Sequence, residues 1–220
     1  MKTPVKVALA TGVVILLALA AALGYVLTQR TDDVQPDDAQ STAQVMREDS
    51  HVLDAGGAGS VRIVEFLDFE CEVCAAFYPI VEDLRDEYAG RITYVVRYLP
   101  LPGHENSATS ALAAQAAAEQ GRFEDMYHLL LSRQAEWGEV TQSQSPIFRG
   151  YAEELGLDMD AYDASVTSTA SLERVKADFD EATALGVTGA PTFFVDDKQL
   201  VLRDFDDLEA AIVDALDDGK

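Results

Sequence analysis

Hydrophobic and polar positions follow several different periods along this chain, and each marks a different kind of element. Residues 7–27 carry no charge, and at about 1.5 Å per residue such a run is long enough to cross a bilayer as a helix. Residues 28–50 are rich in Thr, Asp, Gln and Ser with little apolar content, the composition of a flexible tether. Dense apolar runs with β-branched and aromatic residues at 61–69 (VRIVEFLDF) and 92–98 (ITYVVRY) predict two buried strands. Between them Val73, Ala76, Phe77, Ile80, Val81, Leu84 and Tyr88 recur at helical spacing. Pro79 should kink that helix, and Gly90 suits its end. From about 105 to 185 the pattern is helical, broken near Gly121, Trp137, Gly138, Gly156 and Ser165. Short strands at 192–195 and 199–202 are expected around an Asp196-Asp197 turn, and an amphipathic helix over 205–216. The order strand, helix, strand, helical block, two strands, helix is that of an α/β domain whose sheet is interrupted by a helical insertion at about 104–186.

Composition narrows this picture. The chain has 220 residues and 48% hydrophobic content, so 51–220 can form one ordinary domain with a real core. The formal net charge is -23. A surface this negative repels phosphate backbones and excludes nucleic acid as a partner; the charge reads as a solubility feature. Lys2 and Lys6 precede the uncharged run, and Asp32, Asp33, Asp37 and Asp38 follow it after Arg30. The positive-inside rule then places 1–6 in the cytoplasm, 7–27 as a single-pass transmembrane anchor, and the rest outside. Ala18-Leu19-Ala20 resembles a signal-peptide cleavage site, but the apolar run continues past it, which favours a retained anchor. Both readings export the domain.

The chain has two cysteines, Cys71 and Cys74. A disulfide-stapled secreted fold has more of them at wider spacing. The pair is therefore catalytic, half of a metal site, or a tight structural link. A zinc site needs four ligands, and His51, His104 and His128 are widely scattered. A disulfide closing so short a loop restricts the unfolded chain little. The Cys71-Glu72-Val73-Cys74 motif lies where a predicted strand gives way to a predicted helix. A helix N-terminus offers unpaired N–H groups and a partial positive charge, which stabilise a thiolate. Cys71 is then an exposed nucleophile, and Cys74 the buried thiol that resolves a mixed disulfide. Glu65 is an acid inside an otherwise apolar strand, costly to bury without a role. His104, in a Pro-Gly-His turn, is read as a helix-start residue. His128, Phe123, Tyr127 and Trp137 are read as structural, and Asp68 and Glu70 lie near the rim of the motif.

The FLDFECEVC segment, the order of elements and the segment Gly189-Ala190-Pro191-Thr192-Phe193-Phe194-Val195 resemble DsbA-like thiol–disulfide oxidoreductases, above all membrane-tethered Gram-positive forms. The resemblance runs from about His51 onward and implies a thioredoxin fold with an inserted helical domain. It implies Cys71 as nucleophile, Cys74 as resolving cysteine, and Pro191 as the cis-proline facing them. It also implies that Ala190 pairs through its main chain with an extended substrate, and that Glu65 exchanges a proton with Cys74. No cofactor or metal is called for. The implied partners are thiols of secreted proteins still folding and a quinone-linked membrane protein that reoxidises the pair. The best-known oxidase of the family has histidine where Val73 stands. With Glu70 and Glu72 flanking Cys71, the expectation is a raised thiol pKa and a weaker oxidant. The rival functions are a reductase or isomerase of the same fold and a redox-inert binding module on a membrane stalk.

Overall fold

Strict alternation of side chains to opposite faces of a strand organises the core of this protein. The computed structural model describes residues 43–219. The central strand, β2 (Val61–Leu67), lies between two partners in a five-stranded sheet. It pairs in parallel with β3 (Ile92–Tyr98) and antiparallel with β4 (Thr192–Val195). β1 (His51–Asp54) continues the sheet beyond β3, and β5 (Lys198–Gln199) beyond β4, both antiparallel. The strand order is β1-β3-β2-β4-β5.

One face presents Ile63, Leu67, Tyr94, Val96 and Phe193 to the larger core cluster, which also holds Phe77, Val81 and Leu84 of helix α1 (Glu72–Glu87). Burying each large apolar side chain of that kind contributes about 1.5–3 kcal/mol. The other face presents Val64, Phe66, Val95 and Phe194, clustered with Ala182 and Val187. Between β3 and β4 lie α2 (Ser107–Ala118), α3 (Phe123–Ser132), α4 (Ser145–Glu154), α5 (Met159–Ser165) and α6 (Thr169–Ala184), with a short 3₁₀ turn after α3. Helix α7 (Asp207–Asp218) follows β5. Trp137, Phe123 and Tyr127 are buried core of this block. The parallel β2–α1–β3 crossover, the antiparallel β4 and the helical insertion form the thioredoxin-like α/β fold that the sequence suggests.

Three differences from the sequence reading have local causes. β1 is short and at the edge, with a register shift between Val52 and Asp54, so it lacks the apolar run that marks a strand. β5 covers two residues rather than 199–202; Asp196 and Asp197, both at positive φ, turn the chain tightly, and Leu200 retains one bond to Phe193 before pairing stops. Residues 43–50, assigned by composition to the tether, pack on the domain: Val45 is buried, and Arg97 donates to the carbonyls of Gln44 and Val45. The expected anchor at 7–27 and the tether as far as 42 lie outside the described residues. No described helix is long and apolar enough to cross a membrane.

Candidate active site

β2 ends at Leu67 and α1 starts at Glu72, so Asp68-Phe69-Glu70-Cys71 make the junction. Cys71 is the N-cap of α1, with extended backbone (φ −70, ψ 122) and no side-chain capping bond. The orphan N–H groups of a first helical turn carry partial positive charge, and those of Cys74 and Val73 favour the Cys71 thiolate. Its thiol pKa is lowered from 9.0 to about 6. The thiol of Cys74, hydrogen-bonded to Cys71, is the largest cause; the two backbone N–H groups add to it, while burial and the charge of Asp68 oppose it. The Cys74 thiol moves the other way, well above its usual range, because it is buried and also faces Cys71 and Glu65. The two sulfurs are thus strongly differentiated.

Two expectations about this motif are corrected. Cys71 is not an exposed nucleophile: only 6% of its surface is accessible. The loop before β4 lies over it, the Cys71 thiol donating to the Ala190 carbonyl at 3.4 Å, and Gln134 from the helical insertion donates to the Cys71 and Phe69 carbonyls. The pKa is not raised by Glu70 and Glu72 either. Glu70 is buried and turned away, accepting hydrogen bonds from the backbone and side chain of Asn106. The carboxylate that bears on Cys71 is Asp68.

Glu65 lies in the middle of β2, opposite Val96 on one side and Phe193 on the other. It is buried, and the Tyr94 hydroxyl donates to it. Desolvation raises its pKa from 4.5 to about 7 despite that bond. The Ala190-Pro191 peptide is cis. A groove of about 420 Å³ beside the motif is lined by Val73, Phe77, Ala190, Pro191, Leu202 and Phe205. Val73 and Phe205 are large apolar side chains left exposed there, and the Phe77 ring makes tilted contacts with Phe193 and Phe205. Among the described residues no group of His, Cys, Asp and Glu is placed to hold a metal.

The structure also assembles residues that sequence reasoning does not bring together. Asp68 is buried, and four donors converge on it: Ser107 Oγ at 2.7 Å, Glu70 N at 2.9 Å, Leu101 N at 3.1 Å, and His104 Nδ1 at 2.6 Å when that nitrogen carries its proton. Asn106 bridges Glu70 to the carbonyls of Val140 and Gln142. His104 is therefore not only a helix-start residue. Two acids crowded into FLDFE are the one signal of this cluster in the chain; Gln134 has none, being far from Cys71 in sequence. His128 shares a hydrogen bond with the Tyr78 hydroxyl at a half-exposed position, away from the cysteines.

The differentiated thiols give a direct expectation. In the reduced protein Cys71 should alkylate with iodoacetamide at a rate whose midpoint lies near pH 6, while Cys74 stays unmodified through neutral pH. A midpoint for Cys71 above pH 8 would contradict the geometry described.

Comparisons with known proteins bear on the fold that holds this site. A family model described as Thioredoxin matches residues 56–214. A thioredoxin-like oxidoreductase from Silicibacter pomeroyi is 25% identical with a TM-score of 0.64, covering 79% of this chain and 95% of that one. BdbD from Bacillus subtilis in its oxidised form is 20% identical with a TM-score of 0.66, covering 76% of this chain and 93% of that one. Among curated proteins, the Na(+)/H(+) antiporter NhaA of Herminiimonas arsenicoxydans is 38% identical over 138 residues, which is 63% of this chain and 21% of that protein. The chain thus spans about a fifth of that relative's length. With that family model matching most of the chain, the chain belongs to the thioredoxin family.

Proposed function

We propose that this protein is an extracytoplasmic thiol–disulfide oxidoreductase that introduces disulfides into exported proteins through Cys71 and Cys74. The observation that carries this reading is the placement of the pair, Cys71 at the N-cap of α1 with Cys74 buried in the first turn beside it, an arrangement that lowers the Cys71 pKa and raises that of Cys74. A thiolate stabilised in the reduced state makes the disulfide a better oxidant. At pH 7 a thiol of pKa about 6, against an ordinary 9.0, favours the reduced form by about tenfold, or about 1.4 kcal/mol and 30 mV.

A substrate thiolate attacks the Cys71 sulfur of the disulfide. The Cys71–Cys74 bond breaks, a substrate–Cys71 bond forms, and Cys74 leaves with the electron pair. Glu65, with a pKa near neutrality, supplies the proton that Cys74 needs as it leaves and takes it back when the disulfide is restored. A second substrate thiolate then attacks the substrate sulfur of the mixed disulfide, and Cys71 leaves as its stabilised thiolate. The substrate is oxidised by two electrons and the pair is reduced. An extended substrate strand lies along Ala190 and Pro191, its apolar side chains in the groove at Val73 and Phe205. The 7–27 segment anchors the domain on the outer side of the membrane, within reach of a quinone-linked reoxidising partner.

Cys74→Ala tests the roles. It should accumulate mixed disulfides between Cys71 and exported proteins, seen as high-mass species on non-reducing gels that disappear with reductant. Cys71→Ala should give none; equal adducts from both variants would sink the assignment. A potential near that of cytosolic reductants would instead favour the reductase reading.

A further inference from the structure

Asp68 poses an electrostatic problem that the first helical turn does not solve. Its backbone carbonyl accepts the Cys71 N–H at 3.2 Å, its side chain is fully buried, and its charge opposes ionisation of Cys71. A buried carboxylate close to a developing thiolate is a like-charge pair, which withholds the proton from solution. Three of the four donors on Asp68 are neutral: Ser107 Oγ and the N–H groups of Glu70 and Leu101. The fourth, His104 Nδ1, is the one that can bring a full positive charge. The imidazole is about one-third exposed, so it exchanges protons with solvent while its other edge contacts Asp68.

We propose that His104, held on Asp68, is a positioning residue that neutralises this carboxylate and thereby keeps Cys71 ionisable. The helical insertion would then tune the nucleophile electrostatically as well as cover it. The surroundings support such a role. Asp68, Glu70 and the Cys71 sulfur all favour the imidazolium and outweigh desolvation, raising the His104 pKa above 6.5. Glu105 and Glu139 line the same small cavity of about 230 Å³ as His104 and Glu70. The cation therefore sits among Asp68, Glu70, Glu105, Glu139 and Cys71, and no other described cation lines that cavity. Because the two titrations are coupled, loss of the His104 proton should weaken the acidity of Cys71, and reduction of the disulfide should strengthen proton binding by His104.

This role for His104 deepens the oxidoreductase reading and rests on it, and its chemistry can be tested without turnover. His104→Asn places an amide donor near the position of Nδ1 and removes the charge. Followed by thiolate absorbance in the reduced full chain, it should make Cys71 roughly threefold to tenfold less acidic and shift the pair about 12–22 mV toward the reducing side at pH 7. Asp68→Asn should make Cys71 more acidic, and adding His104→Asn to it should have a much smaller effect than in the parent. An unchanged Cys71 titration in His104→Asn, or the same change with and without Asp68, would overturn the proposal. If these variants fail to fold, the wild-type protein still decides: by NMR the His104 pKa should be higher in the reduced thiolate form than in the disulfide form, and equal values overturn the proposal. Failure of the pair to equilibrate with a dithiol would sink the oxidoreductase reading instead, while the thiolate titration would remain readable.

Discussion

Glu65→Gln is expected to stabilise the reduced domain by about 3 kcal/mol at pH 8 and to leave it almost unchanged at pH 4. The carboxyl is 3% exposed and keeps its proton up to about pH 7 in the folded protein, against 4.5 when unfolded. A group whose folded pKa is raised contributes stability that is fully present below the unfolded value. That contribution is lost as pH rises through the folded value. Two and a half powers of ten in proton affinity correspond to about 3 kcal/mol. Glutamine has the same shape, still accepts from Tyr94, and never ionises. For a domain of this size the gain corresponds to a rise in Tm of roughly 6–12 °C at alkaline pH. Urea unfolding of both proteins from pH 4 to pH 9 measures the difference; a difference independent of pH would mean that Glu65 is not the buried acid described. The effect on function should be opposite in sign, since the variant can no longer give a proton to Cys74 or take it back.

Arg97→Met is expected to cost about 3–5 kcal/mol. The guanidinium is fully buried on β3, donating through Nε to Asp178 Oδ1 at 2.9 Å and through one terminal nitrogen to the Gln44 carbonyl at 2.6 Å, with its plane over the Phe66 ring. Asp178 is equally buried, and also accepts the Tyr98 N–H and pairs with Arg174. Removing the arginine leaves that carboxylate short of one charge partner in a dry site and releases the 43–50 segment. The cost should therefore exceed what lost packing explains. Adding Asp178→Asn should recover part of it, because the asparagine still accepts from Tyr98 without a buried charge. Thermal unfolding of the single and double variants checks this, and a double variant no more stable than the single one would refute the charge argument.

Residues that act through near neighbours are legible in the chain itself. β2, α1, β3 and β4 follow from apolar periods spanning several residues, and Gly90, Gly121 and Gly156, all at positive φ, stand at predicted element ends. The Cys71–Cys74 pair is readable because a strand-to-helix junction is a local event. Glu65 is readable because an acid breaks an apolar strand. Arg97 breaks its strand in the same way, but its partners at 44, 45, 178 and 181 are distant in sequence. Only their meeting explains why 43–50 belongs to the domain and not to the tether.

What the sequence determined by itself is β2, α1, β3, β4 and the helical block, the thioredoxin-like order and the two sulfurs at a helix start, since each depends on spacing within a few residues. Tertiary structure alone decided how those sulfurs behave. The burial of Cys71 under Ala190 and Gln134, the turning of Glu70 toward Asn106, and the meeting of His104 with Asp68 join residues 36 to 119 positions apart. Such contacts have no period and leave no mark on the chain. Yet electrostatic energies depend on distance and burial, so the ionisation of Cys71 follows from this packing and not from the charges written next to it.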